Sequence, residues 1–253
     1  MITSLQNEKV KLARALQDQA RTRRKEGRIV LEGLRLVRDA LQSGQLPDFI
    51  LYNPDTAAIE PLRDLGAALY PVSAEVMRHA SNTQQPQGIL GVFPLPAPVL
   101  PSLPERLLIL DSLRDPGNLG TILRTAAAAG MDAVLLSPTC ADPYNPKALR
   151  GGMGAHFRVP IIKAGWETIT TACRGLTVYL ADSAGQIGYH QADWTADWAL
   201  IIGGEARGAG DEAMRLAHAR ISIPMAAATE SLNAAAAAAV ILFEAARQRG
   251  FRD

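Results

Sequence analysis

Short apolar runs alternate along the chain with segments in which apolar residues recur at helical spacing. The runs are long enough for buried strands and too short for helices, so each of them predicts a strand. Before residue 94 the pattern predicts a helix at 5–26, a strand at 29–31, a helix at 34–42, a strand at 49–52, a helix at 59–65, a strand at 68–72, a helix at 75–80 and a strand at 88–93. This alternation is typical of a small α/β or α+β domain.

The same alternation resumes after residue 105 and predicts a second α/β domain. The predicted strands are 107–110, 133–136, 158–162, 177–181, 200–202 and 221–223. The predicted helices are 121–129, 167–173 and 234–249.

Residues 94–104 separate the two patterns and hold five prolines in eleven positions. Proline at this density excludes a helix or a central strand and is typical of a stiff spacer. We therefore predict an N-terminal domain at 1–93, a proline-rich linker at 94–104 and a C-terminal domain at 105–253.

The composition is that of an ordinary folded protein: of 253 residues, 48% are hydrophobic and 20% are charged, and the net charge is +1. No apolar run approaches the ~20 residues of a membrane-spanning helix, and the first residues lack the apolar segment of a secretion signal. Cys140 and Cys173 stand alone, and the four histidines show no metal-ligand spacing. These features predict a cytoplasmic protein without a membrane span or a metal.

Charge is uneven near the N-terminus, where residues 1–28 carry eight basic and three acidic side chains. Basic clusters of this kind contact phosphates in nucleic-acid-binding proteins. The candidates for such contacts are Arg21, Arg23, Arg24 and Lys25. The alternative is a solvated helix face.

Residues 107–130, LLILDSLRDPGNLGTILRTAAAAG, combine a predicted strand, a polar loop and a predicted helix. The loop is predicted by the turn residues DPGN at 115–118. Ligands of open α/β sheets bind at the carboxyl ends of strands, which makes Asp115, Asn118 and Arg124 candidate site residues. An ordinary strand-to-helix turn is the alternative.

Glycine-rich stretches at 151–154 and 203–210 pose the question of a dinucleotide-binding fold. Such a site requires G-x-G-x-x-G between a strand and a helix, with an acidic residue about twenty positions further on. Neither stretch completes this pattern, which argues against a nicotinamide-dependent enzyme.

Three segments, together and in order, resemble the motifs of the SpoU-type (TrmH-like) RNA ribose 2′-O-methyltransferases of the SPOUT superfamily. They are LDSLRDPGNLGTILRTAAAAG at 110–130, LIIGGEARGAG at 200–210 and ISIPMAAATESLNAAAAAAVILFEAARQ at 221–248. RGGMGAHFRVP at 150–160 is similar to the family's connecting segment. RIVLEGLRLVRDAL and QPQGILGVF look like its N-terminal substrate-binding domain, which is similar to ribosomal protein L30e.

The resemblance implies an α/β fold with a trefoil-knotted C-terminal SPOUT methyltransferase domain and a smaller N-terminal L30e-like α/β domain. It also implies S-adenosylmethionine as the cofactor, bound by Gly203, Ile223, Met225 and Leu232. A homodimer formed through the C-terminal domain, with active sites at the interface, is implied as well.

The family's polar site residues correspond here to Asn118, Arg124, Glu205, Ser231 and Asn233. Methyl transfer requires that a ribose 2′-hydroxyl be oriented and lose its proton. By resemblance Arg124 is the candidate proton acceptor, but a guanidinium stays protonated, so positioning a phosphate or the attacking oxygen is the alternative role. Asn118, Ser231 and Asn233 also fit a structural role as turn or cap residues. Because the sulfonium already activates the methyl group, no metal is expected.

The resemblance therefore implies an RNA 2′-O-ribose methyltransferase whose substrate is rRNA of the 23S type, since the extra N-terminal domain is typical of rRNA-directed members. The alternatives are a tRNA 2′-O-methyltransferase and a non-catalytic RNA-binding protein on the same fold. Gly204 departs from the polar residue that the family often has there, and Gly152 from a common serine.

Overall fold

The structure, a computed structural model, describes residues 1–63, 66–205, 208–226 and 231–250. The end of the helix predicted at 59–65 and two parts of the motif segments, 206–207 and 227–230, lie outside the described residues. No helix within the described ranges is long and apolar enough to span a bilayer.

The elements follow one another in the order that the hydrophobic pattern predicts, with additions. The helices are α1 Glu8–Asp18, α2 Ala20–Glu26, α3 Leu34–Gln42, α4 Glu60–Arg63, α5 Ala74–Ala80, α6 Pro116–Ala128, α7 Pro146–Gly152, α8 Trp166–Ala172, α9 Asp211–Leu216 and α10 Ala234–Arg249, with 3-10 turns at Ala155–Phe157 and Tyr189–Gln191. The strands are β1 Arg28–Glu32, β2 Phe49–Tyr52, β3 Leu69–Pro71, β4 Ile89–Pro94, β5 Arg106–Asp111, β6 Ala133–Leu136, β7 Ile161–Lys163, β8 Thr177–Ala181, β9 Ile187–Gly188, β10 Trp198–Gly203 and β11 Ala219–Ser222. Of these, α7, α9 and β9 were not predicted.

The chain divides into two compact units, Met1–Ala97 with Tyr144–Phe157, and Pro98–Pro143 with Arg158–Asp253. The first division falls inside the proline-rich segment. Residues 144–157, which the sequence analysis assigned to the C-terminal domain, belong to the first unit. The reason is apolar burial, because Leu149 of α7 is 2% exposed and packs in the same cluster as Leu31 and Val37.

The first unit contains a mixed sheet of order β1-β4-β2-β3. Strand β4 runs antiparallel to β1 and β2, and β3 runs parallel to β2. One helix was predicted at 5–26, but the structure has two, because Gln19 adopts an extended conformation between α1 and α2. Helix α2 ends at Gly27 in the left-handed conformation that favours glycine (φ 60°).

The second unit is an α/β domain with a parallel sheet of order β7-β6-β5-β10-β8-β11-β9. Its two central strands, β5 and β10, are buried on both faces, as the continuous apolar runs predict. Helices α6 and α10 pack against each other in this unit. The α/β fold class with a parallel sheet is thus confirmed.

Candidate active site

The register of the parallel sheet brings two of the motif segments together. Strands β5 and β10 are neighbours, and Asp111 lies opposite Gly203 at their carboxyl ends. The order of strands reverses at this point, with β6 and β7 on one side and β8 and β11 on the other. Such a reversal leaves a crevice for ligands beyond the strand ends. The first and second motif segments both leave the sheet here.

Helix α6 begins at Pro116, within the cluster of turn residues that was predicted to be a loop. Asp115 is the N-cap, and its carboxylate accepts hydrogen bonds from the backbone N–H groups of Gly117 and Asn118, each over 3.2 Å. A capping aspartate followed by proline at the first helical position is a helix-start signal, and it would have corrected the prediction. The cap places Asn118 in the first turn of the helix.

Side-chain hydrogen bonds join the three motif segments. Asn118 Nδ2 donates to Glu205 Oε1 over 2.9 Å, and Asn233 Nδ2 donates to Asn118 Oδ1 over 3.1 Å. Asn233 is also the N-cap of α10, because its Oδ1 accepts from the N–H of Ala235 over 2.8 Å. The side-chain amide of Asn233 therefore caps α10 with its oxygen and binds Asn118 with its nitrogen.

Hydrogen bonds hold the Glu205 carboxyl in its charged form. Partial burial alone would raise its pKa, but the hydrogen bond from Asn118 and those from backbone N–H groups, including that of Arg114 over 3.4 Å, together lower it below the usual glutamate range. Glu205 is therefore an ionised hydrogen-bond acceptor at neutral pH. It can orient a hydroxyl group, and its low pKa makes it a weak base.

Arg124 stands apart from this network. Its side chain is exposed on α6, six positions beyond Asn118 and hence about 240° further around the helix axis. Within the described part of the chain its guanidinium makes no hydrogen bond or ion pair, with Glu205 or with any other residue. Glu205 binds Asn118 and the loop backbone instead.

A cavity of about 370 Å³ lies beside the network, within the second unit. All four predicted cofactor-binding residues line it, together with two of the predicted catalytic residues: Gly203, Ile223, Met225 and Leu232, with Glu205 and Ser231. The residues predicted from the sequence to bind the cofactor thus share one cavity. Its size is that of a small-molecule site.

The cavity also has walls formed by residues that were not among the predicted cofactor-binding or catalytic residues. They come from the end of β8, from α9 and from the buried side of α10: Leu180, Ala181, Asp182, Ser183, Met214, Ala237 and Ile241. The signal that could have found the first group is sheet order, because β8 is the parallel neighbour of β10 and ends at the same edge. That order cannot be read from the chain alone.

The SpoU rRNA Methylase family model matches residues 105–243, more than half of the chain. The chain belongs to this family. The predicted resemblance is thus confirmed. A second family model, the MRM3-like substrate binding domain, matches residues 7–91.

Two curated relatives and one solved structure of the family are similar over most of this chain. Mouse rRNA methyltransferase 3, mitochondrial, is 36% identical, covering 89% of this chain and 69% of the relative. The 23S rRNA (guanosine(2553)-2′-O)-methyltransferase RlmP of Bacillus subtilis is 32% identical, covering 96% of this chain and 97% of the relative. An AdoMet-bound rRNA methyltransferase from Sinorhizobium meliloti has a TM-score of 0.85 and 34% identity, covering 97% of each chain. Similarity across most of the chain to named rRNA methyltransferases confirms that this SpoU family member is an enzyme.

In this SpoU family member one of the four predicted RNA-binding residues is buried. Arg23 is 3% exposed, and its guanidinium donates to the backbone carbonyls of Leu16 over 2.6 Å and Gln17 over 3.3 Å. It satisfies carbonyl groups at the end of α1, which corrects its assignment as a phosphate contact. Arg21, Arg24 and Lys25 are exposed, as a phosphate-binding surface requires.

Neither the two cysteines nor the described acidic and histidine side chains form a further reactive site. Cys140 and Cys173 are free and buried, and burial raises the pKa of Cys173 to about 11, which keeps the thiol protonated at neutral pH. Among the described residues no group of three or more His, Cys, Asp or Glu side chains could hold a metal ion.

Proposed function

We propose that this chain transfers a methyl group from S-adenosylmethionine to a ribose 2′-hydroxyl of 23S-type rRNA. The observation that carries the proposal is the network of Asn118, Glu205 and Asn233 beside the cavity. It places groups that can orient a hydroxyl next to a space that can take a methyl donor. The named activity of the Bacillus relative, which aligns with nearly the whole chain, supports the same reaction and substrate class.

The cavity fits S-adenosylmethionine. Apolar side chains, among them Ile223 and Leu232, suit the adenine ring. Two acidic residues, Glu205 and Asp182, line the same cavity, and negative charge there favours the positive sulfonium and ammonium groups. The Asp182 carboxylate also pairs with Arg220 over 3.4 Å. When bound, the cofactor supplies a methyl group that its positive sulfur has already activated.

The chain's own residues orient the acceptor. The ionised Glu205 carboxylate can accept a hydrogen bond from a ribose hydroxyl, and Asn118 fixes the direction of that carboxylate. Since the lowered pKa makes Glu205 a weak base, its part is orientation more than proton removal. Ser231 adds a hydroxyl to the cavity wall.

We assign Arg124 to substrate positioning, as part of a homodimer formed through the C-terminal domain. Its exposed guanidinium can bind a phosphate or the attacking oxygen. Helix α10, the packing neighbour of α6, carries the exposed apolar side chains of Val240 (37% exposed) and Phe243 (42% exposed). A second copy that covers these side chains would place its own groups close to α6.

The finer fold features implied by the resemblance belong to the same proposal. The match of residues 105–243 to the SpoU rRNA Methylase family supports a trefoil knot in which the chain end passes through a loop. The small mixed α/β sheet of the first unit supports an L30e-like domain that binds RNA. Arg21, Arg24 and Lys25 provide its exposed positive charge.

Methylation mapping tests the proposed function. The protein is incubated with labelled S-adenosylmethionine and total RNA from cells that lack it, and 2′-O-methyl groups are located by their block to alkaline cleavage. We expect one labelled nucleotide in large-subunit rRNA. Label in tRNA alone would retain the chemistry and overturn the substrate class. Cofactor binding without label in any RNA, including ribosome precursors, would overturn the proposed reaction.

A further inference from the structure

Asp111, the last residue of β5, has a buried carboxylate and was not among the predicted site residues. It is 3% exposed, and its Oδ2 accepts a hydrogen bond from the N–H of Gly210 over 2.7 Å. Gly210 is the N-cap of α9, the helix after the second motif segment. The Asp111 carboxylate at the end of β5 thus fixes the last residue of the loop that runs from β10 to α9.

The next residue, Ser112, has a backbone conformation that side chains rarely adopt. Its φ is 57°, in the left-handed region, although it is not a glycine. Surrounding hydrogen bonds fix it there: its N–H donates to Ser137 Oγ over 3.0 Å, and its Oγ lies 3.1 Å from Asp111 Oδ1 and 2.8 Å from Thr139 Oγ1. Strained residues that are held so firmly are concentrated at functional sites.

The position of Ser112 explains the glycine at 204. A Cβ at Gly204 would clash with the carbonyl oxygen of Ser112, so a side chain at this position requires the backbone around Ser112 to shift. Gly204 and Gly208 exchange two backbone hydrogen bonds, over 3.1 and 3.0 Å, which close the short loop that carries Glu205. The loop is therefore held against Ser112 at one end and by Asp111 at the other.

We propose that Asp111 and Ser112 are positioning residues that set the Glu205 loop, so that the Glu205 carboxylate meets Asn118. Neither residue lines the cavity, and among the described residues the Asn118 side chain bonds to Glu205 and Asn233 instead, so Asp111 and Ser112 act through Gly210 and Gly204. The inference rests on the proposed function, in which Glu205 orients the acceptor hydroxyl. Asp111 and Ser112 thus connect the first two motif segments a second time, in addition to the hydrogen bond from Asn118 to Glu205.

A double-mutant cycle with matched controls tests the proposal. Asp111→Ala should lower kcat about a hundredfold, the usual effect of misplacing a site group by about 1 Å. In a protein that already carries Glu205→Ala, adding Asp111→Ala should lower kcat by less than about threefold, because the effect of Asp111 on the rate is exerted through Glu205. Asp111→Asn keeps an acceptor for Gly210 and should restore most of the activity. Asp132→Ala is the control, since Asp132 binds the backbone N–H groups of Glu105 and Arg106 at the other end of β5.

Hydrogen exchange of residues 203–210 in the free protein gives a readout that is independent of activity. We expect these amides to exchange at least about tenfold faster in Asp111→Ala, and also in Gly204→Ala if Asp111→Ala fails to fold, but not in Asp132→Ala. Unchanged exchange in both loop variants would overturn the proposal. The proposal would also be overturned if the losses of kcat in Asp111→Ala and Glu205→Ala multiply in the double variant, as they do for independent sites. A wild-type enzyme that methylates no RNA would refute the proposed function alone, since exchange still reports on the coupling.

Discussion

The side-chain amide of Asn118 and the carboxylate of Glu205 form a 2.9 Å hydrogen bond across 87 positions of sequence. The bond joins the first turn of α6, the helix that follows β5, to the loop after β10, and β5 and β10 are parallel neighbours in the sheet. Because the amide donates to the carboxylate, it favours the ionised form of Glu205. The pKa of Glu205 therefore depends on a residue from another motif.

We expect Asn118→Ala to move the acidic limb of the kcat/KM profile to higher pH. The pKa of Glu205 is lowered even though its burial acts in the opposite direction, and the side-chain hydrogen bond from Asn118 is the largest lowering cause. Activity that needs the carboxylate is present above this pKa and is lost as the pH falls through it, so a higher pKa moves the loss upward. Single-turnover rates measured across the acidic range check this. Glu205→Gln is the control because it has no carboxyl to titrate, and an unmoved limb in Asn118→Ala would contradict the prediction.

Arg124→Ala should abolish methyl transfer while leaving cofactor binding within about twofold. The guanidinium is exposed, and it does not line the cavity. Its loss should therefore remove a contact to the substrate, costing about 10²-fold or more in kcat/KM. Calorimetry with S-adenosylmethionine and rates with rRNA separate the two effects. Arg174→Ala, another exposed arginine of the same unit, is the matched control. Full activity in Arg124→Ala would refute the role assigned to this residue.

The hydrophobic pattern predicted most elements because buried parallel strands read as continuous apolar runs. It missed the start of α6, where the local signal of Asp115 and Pro116 was present but was taken for a turn. It also missed the break between α1 and α2, which depends on Gln19 and on the buried guanidinium of Arg23.

The candidate site, like the fold, was predicted from the sequence only in part. The site residues of the resembling motifs could be selected from the sequence, and all of them except Arg124 share one cavity or one hydrogen-bond network. Asp182 could not be selected, because its place at the cavity follows from the pairing of β8 with β10. Nor could the constraint on Gly204, since it comes from the carbonyl of Ser112, which is distant in sequence. Contacts set by sheet order leave no local pattern.

Charge reversal of Arg21 and Arg24 together should weaken RNA binding and flatten its salt dependence. Both side chains are exposed on α2, and neither forms an ion pair within the described ranges. Each phosphate contact that is lost reduces the slope of log affinity against log salt by about one. Filter binding of an rRNA fragment at several salt concentrations measures the slope. Unchanged affinity and slope would place the RNA elsewhere on the protein.

Arg23→Ala should act on stability rather than on RNA binding. Removing its guanidinium leaves the carbonyls of Leu16 and Gln17 without this donor in a buried setting, which costs about 2 kcal/mol of unfolding free energy. Urea denaturation measures the loss, and Arg24→Ala, at the neighbouring exposed position, should stay within about 0.5 kcal/mol of the wild type. A stable Arg23→Ala protein with a reduced salt slope would instead restore Arg23 as a phosphate contact.

Phe243→Asp should dissociate the proposed homodimer. Phe243 and Val240 present exposed apolar surface on α10, and a charge placed in such a surface is costly to bury in an interface. Sedimentation equilibrium over a range of protein concentrations should give a dimer for the wild type and mainly monomer for the variant. Leu103→Asp is the matched control, because Leu103 is 89% exposed in the proline-rich segment and should leave the assembly unchanged. If Phe243→Asp remains a dimer with the wild-type dissociation constant, the interface does not include this face of α10, and the assignment of Arg124 to an interfacial site loses its support.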